Sequence, residues 1–200
     1  MQEDLFLSTA YFPPIEYFSL IRNAGNVFIE REENYIKQSY RNRFRILSSN
    51  GILTLSVPVM KGSQLKTKIK DITIDYSKRW QQNHLGAITS AYSRSPYFQF
   101  YRDSFEKIIL GNYKFLIDLN EELINKCLEI MKINKCILYT SSFEAHTGKI
   151  YDYRYRLTPK KPLDIPYKLY IQVFGNLGFV SGLSIVDLLF NVGPESAEYL

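Results

Sequence analysis

Histidine and cysteine number two each, and tryptophan one, in a chain of 200 residues. Two histidines exclude a multi-histidine metal site. His84 and His146 stand at no metal-motif spacing, so no metal centre is expected. Cys127 and Cys136 form no C-x-x-C pair. Cys127 falls in a helical apolar pattern and Cys136 opens an apolar run, so both are expected as buried free thiols of a reducing compartment. The longest apolar stretch, Leu177 to Phe190, is interrupted by Gly178, Ser181, Gly182, Ser184 and Asp187, too short and too broken to span a bilayer. The acidic start Met1-Gln2-Glu3-Asp4 is unlike a signal peptide, and a cytoplasmic protein is expected. A Walker A loop, G-x-G-x-x-G, H-E-x-x-H and G-x-S-x-G are all missing, so no cofactor is singled out.

What the chain has is aromatic bulk, with 16 Tyr and 13 Phe, and an ordinary apolar content of 46%, which excludes a disordered or fibrous chain. The net charge of +5 is modest and its cations are spread over Arg41 to Arg45, Lys61 to Lys70 and Arg154 to Lys161. That spread argues against nucleic acid, whose binders gather such charge on one face, and leaves room for an anionic small molecule.

Periodicity predicts an α/β fold, a single domain over residues 1–200. Leu5 to Thr9 reads as a strand, Pro13-Pro14 starts a helix through Ile21, and Val27 to Ile29 is a second strand, together a βαβ unit. Alternation on both sides of Asn50-Gly51 predicts a β-hairpin of Arg43 to Leu47 with Ile52 to Val59. A basic loop, Lys61 to Lys70, and a short strand, Asp71 to Asp75, come next. Lys78 to Ser93, Tyr97 to Leu110 and Leu116 to Ile133 form a central cluster of three helices. Strands at Cys136 to Tyr139 and Tyr170 to Phe174 follow, joined by the long Tyr-rich connection Ser141 to Lys168. Ser184 caps a helix over Ile185 to Phe190, and Gly193-Pro194 sets off a last short helix.

Four clusters bear chemistry. Ser8 to Pro14 is a turn at the carboxyl end of a strand, where α/β folds place ligands. Arg41, Arg43 and Arg45 share one side of an extended run, either to grip an anion with Asn42 or to pair with Glu30, Glu32 or Glu33. Trp80 and His84 stand one helical turn apart with Tyr92 further along. His84 is either an acid/base group or a packed core residue. Asp187 and Asn191 form a polar ridge on an otherwise apolar helix and need partners, from a ligand or from the protein.

In this order the clusters resemble the WbqC-like protein family. The resemblance runs through Tyr11-Phe12-Pro13-Pro14-Ile15-Glu16-Tyr17-Phe18, Asn42-Arg43 with Val57-Pro58-Val59, the Trp80-x-x-x-His84 helix with Tyr92 and Pro96-Tyr97-Phe98, and Leu183 to Pro194. It implies a role in bacterial surface-polysaccharide (O-antigen) biosynthesis, with acyl or aminoacyl transfer to a sugar as the suggested reaction and a nucleotide or sugar nucleotide as anionic ligand. His84 and Asp187 would then be catalytic, and Tyr11, Asn42, Arg43, Tyr92 and Asn191 would bind the ligand. Many relatives carry His-Gln-Pro after the first strand. Here that stretch is Ser8-Thr9-Ala10, so a role for that histidine is not carried over. A non-catalytic ligand- or protein-binding module and a nucleotidylyltransferase-like enzyme are the alternatives. Convergence of Arg43, His84 and Asp187 in one pocket would favour the enzyme; separate placement would favour binding. The oligomeric state is left open.

Overall fold

Leu5-Phe6-Leu7 and Val27-Phe28-Ile29 are apolar on both faces of a short run, and such strands bury themselves in a parallel sheet. In the computed structural model, which describes residues 3–60, 66–145, 151–161, 163–175 and 178–200, they do so. Strands β1 (Leu5–Ser8) and β2 (Val27–Glu30) pair in parallel across helix α1 (Ile15–Asn23), with Leu5 opposite Val27 and Ser8 opposite Glu30. Strand β5 (Ile137–Tyr139) pairs in parallel with β2, giving the sheet order β1-β2-β5. On the free edge of β1, Phe6 forms a parallel bridge to Asp152, through Phe6 N–H to the Tyr151 carbonyl at 3.0 Å and Tyr153 N–H to the Phe6 carbonyl at 2.8 Å.

Strands β3 (Arg43–Ser48) and β4 (Gly51–Ser56) form the antiparallel hairpin around Ser49-Asn50. Phe44 and Ile46 face the core, whereas β4 is the outer strand and leaves Leu53 exposed. Helices α2 (Trp80–Tyr92), α3 (Phe98–Ile109) and α4 (Leu116–Ile130) follow, and one apolar cluster joins them to α1, the sheet and helix α5 (Ile185–Val192).

Three local expectations are corrected. Asp71 to Asp75 makes isolated bridges, Thr73 to Phe115 and Ile74 to Val59, because a 3-10 turn at Ile69–Asp71 uses up the approach to a ladder. Tyr170 to Phe174 joins no sheet among the described residues and turns at Val173 and Phe174. The Gln172 side-chain amide takes the place of a ladder partner, donating to the Val180 carbonyl and accepting from Val180 N–H, both at 2.9 Å. Cys136 is exposed, since it precedes β5 instead of lying inside it, while Cys127 is buried in α4. His146 and residues 61–65 of the basic loop lie outside the described residues.

The amino ends of α1 and α5 meet. Ile15 N–H donates to the Leu183 carbonyl at 3.2 Å, and Ile185 N–H donates to the Pro13 carbonyl at 2.9 Å. Ser184 is the N-cap of α5. Its hydroxyl accepts from Val186 N–H at 3.4 Å and donates to the Phe12 carbonyl at 2.9 Å. At the other end of α5, Gly193 has φ 72°, and a Cβ there would lie 2.5 Å from the Tyr97 ring, so only glycine fits.

Ser184→Ala removes both the cap and the tie to Phe12. It should lower unfolding free energy by about 1–2 kcal/mol in urea titrations, with Ser184→Thr retaining most of it.

Candidate functional site

The turn from Ser8 to Pro14 touches all three of the other clusters. Tyr11 N–H donates to the Tyr40 carbonyl at 2.8 Å, beside Arg41. The Tyr11 hydroxyl lies 3.0 Å from His84 Nδ1. Phe12 and Pro13 accept from Ser184 and Ile185. Phe12 itself has φ 44°, a left-handed conformation that costs a bulky residue on the order of 1–3 kcal/mol. The contacts on either side of it hold that conformation in place.

The carboxyl end of the sheet carries a network of buried charge. Ser8 ends β1, Glu30 ends β2, Thr140 follows β5, and Arg154 follows the bridging segment at residues 151–153. Arg154 donates to Glu30 at 2.7 Å and to both oxygens of Asp152 at 2.9 and 2.6 Å. These carboxylates hold its pKa above the ordinary arginine value. Thr140 donates to Glu30 at 2.6 Å. Arg41 forks onto Glu33 at 2.8 and 2.6 Å and donates to Ser8 Oγ at 2.6 Å, while Ser8 Oγ donates to the Arg154 carbonyl at 2.7 Å. Arg154, Glu30 and Glu33 are almost wholly buried. A cavity of about 230 Å³ opens beside Glu30 and Arg154, but these two side chains already have protein partners. Of the three arginines, Arg41 therefore pairs with Glu33, while Arg43 lies at the start of β3 beside Tyr35 with its Nε buried and unpartnered. Asn42 clamps Val57: its amide donates to the Val57 carbonyl at 2.8 Å, and Val57 N–H donates to the Asn42 carbonyl at 2.7 Å.

His84 sits in an aromatic cage. Ring centroids of Trp80, Phe44 and Tyr11 lie 5.2, 5.6 and 5.6 Å from its own. One nitrogen, Nδ1, faces the Tyr11 hydroxyl, and the ring's other partner is the Ser56 backbone. A neutral ring that donates to a backbone carbonyl accepts the hydroxyl at Nδ1. Burial lowers the His84 pKa to about 4.

Asp187 is a second hub. It is fully buried and accepts from Tyr92 at 2.8 Å, Tyr170 at 2.6 Å and Gln172 at 3.0 Å. Burial raises its carboxyl pKa, against the three donors that lower it. Asn191 donates to the Asp187 carbonyl at 2.7 Å, one turn back on α5. The structure thus brings Tyr11 to His84, and Tyr92 and Asn191 to Asp187. Among the described residues His84 and Asp187 share no hydrogen bond, and neither is bonded to the side chain of Asn42 or Arg43, although Asn42 holds Val57 next to the Ser56 backbone that partners His84.

A cavity of about 910 Å³ forms a groove that passes Asn191 and Gln172. Its walls are the end of the hairpin (Ser48, Ser49, Leu53), α2 (Ala87, Ser90, Ala91), the turn Ser93 to Pro96, and residues 171–174. Arg94 is the single charged residue in that lining. Neither Arg94 nor the hydroxyls of Ser49, Ser90 and Ser93 have a hydrogen-bond or ion-pair partner among the described residues. Sequence reading missed Arg94, Ser90 and Gln172, because each is an ordinary polar residue until the α2–α3 turn folds back onto α5.

Comparison with known proteins places this geometry. A family model described as the WbqC-like protein family matches residues 9–160. That span includes Thr9 to Pro14, Arg41 and His84, and ends before Asp187. An uncharacterised protein of Mycobacterium tuberculosis, Rv1507c, is 27% identical over 229 aligned positions, which cover all of this chain and 98% of the relative. No solved structure matches. Among the described residues, no group of three His, Cys, Asp or Glu side chains could hold a metal ion, and no helix is long and apolar enough to cross a membrane.

The buried neutral imidazole makes stability pH-dependent. Unfolded His84 binds a proton below its ordinary pKa of 6.5, whereas in the folded chain it does so only below about 4. Its contribution is fully present above pH 6.5 and is lost as pH falls towards 4, by up to about 3 kcal/mol. Unfolding measured between those limits should show this slope, and His84→Gln should remove His84's share of it even if the variant is less stable throughout.

Proposed function

The chain belongs to the WbqC-like protein family, and from that premise we propose that its groove binds an anionic, hydroxyl-bearing small molecule of sugar-nucleotide size, in the assembly of bacterial surface polysaccharide. The observation that carries this reading is the groove's lining, which among the described residues has one unpaired guanidinium, three unpartnered serine hydroxyls, two side-chain amides and no carboxylate. A guanidinium recognises phosphate through paired N–H donors, and serine and amide groups both give and accept hydrogen bonds to sugar hydroxyls. The apolar strip of Leu53, Ala87, Ala91 and Phe174 offers a surface for a base or a sugar ring. A volume of about 910 Å³ is ample for such a ligand.

Arg94 takes the charge in this reading, and Asn191 and Gln172 orient the hydroxyls. Asp187 is a positioning residue, since it reaches the groove only through Gln172 and through the turn of α5 that bears Asn191. His84 positions Tyr11, and with it the β1–α1 turn. Binding is the part of the reading taken first, because among the described residues no hydrogen bond joins Arg43, His84 and Asp187. One observation favours a second reading, acyl or aminoacyl transfer. The Asp187 carboxyl, with its pKa raised by burial, stands directly behind the Gln172 amide that lines the groove. It could hold a proton for an acceptor bound there.

Thermal-shift and calorimetric titrations with nucleoside diphosphates, sugar nucleotides and acyl-CoA test the proposal. At least one phosphorylated ligand should stabilise the protein, and Arg94→Ala should weaken its binding about 10- to 100-fold, the loss of charge-assisted hydrogen bonds. No stabilisation by any of them, or unchanged affinity in Arg94→Ala, would remove the groove as an anion site. Transfer would appear as product formed only when Asp187 is intact, with ligand affinity retained in Asp187→Asn.

A further inference from the structure

Glu16 stands in the first turn of α1, is 2% exposed, and has no hydrogen-bond partner for its Oε2. Taking a carboxylate out of water without a partner is expensive, so such a site favours the neutral acid. Burial holds the Glu16 carboxyl above its ordinary pKa of 4.5, against the backbone N–H of its own turn and the charge of Arg45, which lower it. Arg45 acts from a distance, because among the described residues the two side chains form no ion pair.

The carboxyl lies where distant parts of the chain are pinned together. Ile15 N–H donates to the Leu183 carbonyl at 3.2 Å, and Ser184 N–H donates to the Arg45 carbonyl at 2.8 Å. These bonds fix α1, β3 and the approach to α5 around Glu16. Tyr40 and Tyr167 complete its surroundings, with the buried Tyr167 hydroxyl at the Gly182 backbone. Tyr167 belongs to residues 163–168, a stretch that is lightly held. Asp164, Pro166 and Lys168 are exposed, Leu163 and Tyr167 pack against the core, and Lys168 N–H donates to the Tyr199 carbonyl at 3.0 Å. A segment with so few ties opens locally without global unfolding.

We propose that residues 163–168 form a proton-operated cover over Glu16, closed while Glu16 is protonated and released as Glu16 ionises and comes into water beside Arg45. The titratable and charged groups that face Glu16 come from three other stretches: Arg45 on β3, Tyr40 ahead of it, and Tyr167 in the cover, while Asp187 of α5 acts on Tyr167. None of them supplies Oε2 with a hydrogen bond in the closed arrangement. Opening hydrates the carboxylate and leaves the Arg45 attraction in place, so ionisation and opening favour each other. The closed form is therefore most favoured at low pH and loses ground as pH rises through the Glu16 pKa, which lies above 4.5. The cover runs straight on into Tyr170 and Gln172, which hold Asp187. The device does not depend on what the groove binds.

Hydrogen exchange at the Lys168 amide, followed from about pH 4 to 9 and corrected for the chemical exchange rate, reads the cover directly. Protection should be greatest at the acid end and fall at least about threefold as pH rises. An NMR titration of the Glu16 side-chain carboxyl should give the same midpoint, above 4.5. Glu16→Gln, which keeps the shape and cannot ionise, should hold protection high and flat. Arg45→Met should move the transition to higher pH, and it carries the test if Glu16→Gln does not fold. The His84 effect runs the other way, weakening the whole fold as pH falls, so the two separate by sign. Protection that is flat in the unmodified protein, a Glu16 midpoint at or below 4.5, or equal slopes with and without Glu16→Gln would each overturn the proposal.

Discussion

One turn, Ser8 to Pro14, is held from three directions, and the arrangement of the molecule follows from it. Its strand side is tied to Arg41 and Arg154, its middle to Tyr40 and His84, and its helix side to the cap of α5. Phe12 adopts a backbone conformation that a free chain would abandon. It persists because Tyr11 N–H and the Phe12 and Pro13 carbonyls are engaged, and releasing the turn would leave these buried groups unpaired. The two prolines serve the same end by limiting what the unfolded turn can sample. Through this turn the sheet, the hairpin, α2 and α5 share one reference point, although they are distant in sequence.

The ion-pair network at the sheet's carboxyl edge obeys a related logic. Removing Arg154, Glu30, Glu33 and Arg41 from water is expensive, and their mutual attraction returns that cost only if nearly every hydrogen-bonding position is filled. Here each guanidinium meets a carboxylate in good geometry, and Ser8 and Thr140 take up remaining positions. Satisfaction of that kind fixes strand ends relative to one another. It also means that the edge where an α/β fold ordinarily receives its ligand is occupied by the protein's own charges, so free binding capacity has to be sought elsewhere.

The regular elements were legible from periodicity: the βαβ unit, the hairpin, whose turn falls one residue earlier than Asn50-Gly51, at Ser49-Asn50, and three helices whose apolar residues recur every third or fourth position. The cap at Ser184 was legible too, because an N-cap is a local interaction. Less legible were features made by long-range pairing. Nothing in the spacing of Tyr170 and Gln172 reveals that they turn inward to a carboxylate fifteen or more residues later, instead of building a strand. Likewise Arg41, Arg43 and Arg45 look equivalent in an alternating run, yet among the described residues it is Arg41 that forms an ion pair with a buried acid, Glu33. The clusters at His84 and Asp187 were visible as polar residues on apolar faces. Their separation was not, since sequence order says nothing about which buried groups end up facing each other.

That separation bears directly on mechanism. A proton shuttle needs two groups within hydrogen-bond reach of each other or of a shared substrate. His84 has both nitrogens committed and an environment that favours the neutral ring, and Asp187 has three donors around two oxygens. Both are better described as fixed points that orient a neighbour: Tyr11 in one case, Tyr92, Tyr170 and Gln172 in the other. The ligand binding we propose then falls where the fold leaves donors and acceptors unspent. In the large groove, among the described residues, those are Arg94, Ser90 and Ser93 at the end of α2 and Ser49 in the hairpin turn, beside Asn191 and Gln172, which are themselves bonded to the Asp187 hub. Rigid, fully paired hubs behind a wall of unpaired groups are what hold a ligand's partners in place before it arrives, and the order of the interior is what gives the groove its definition.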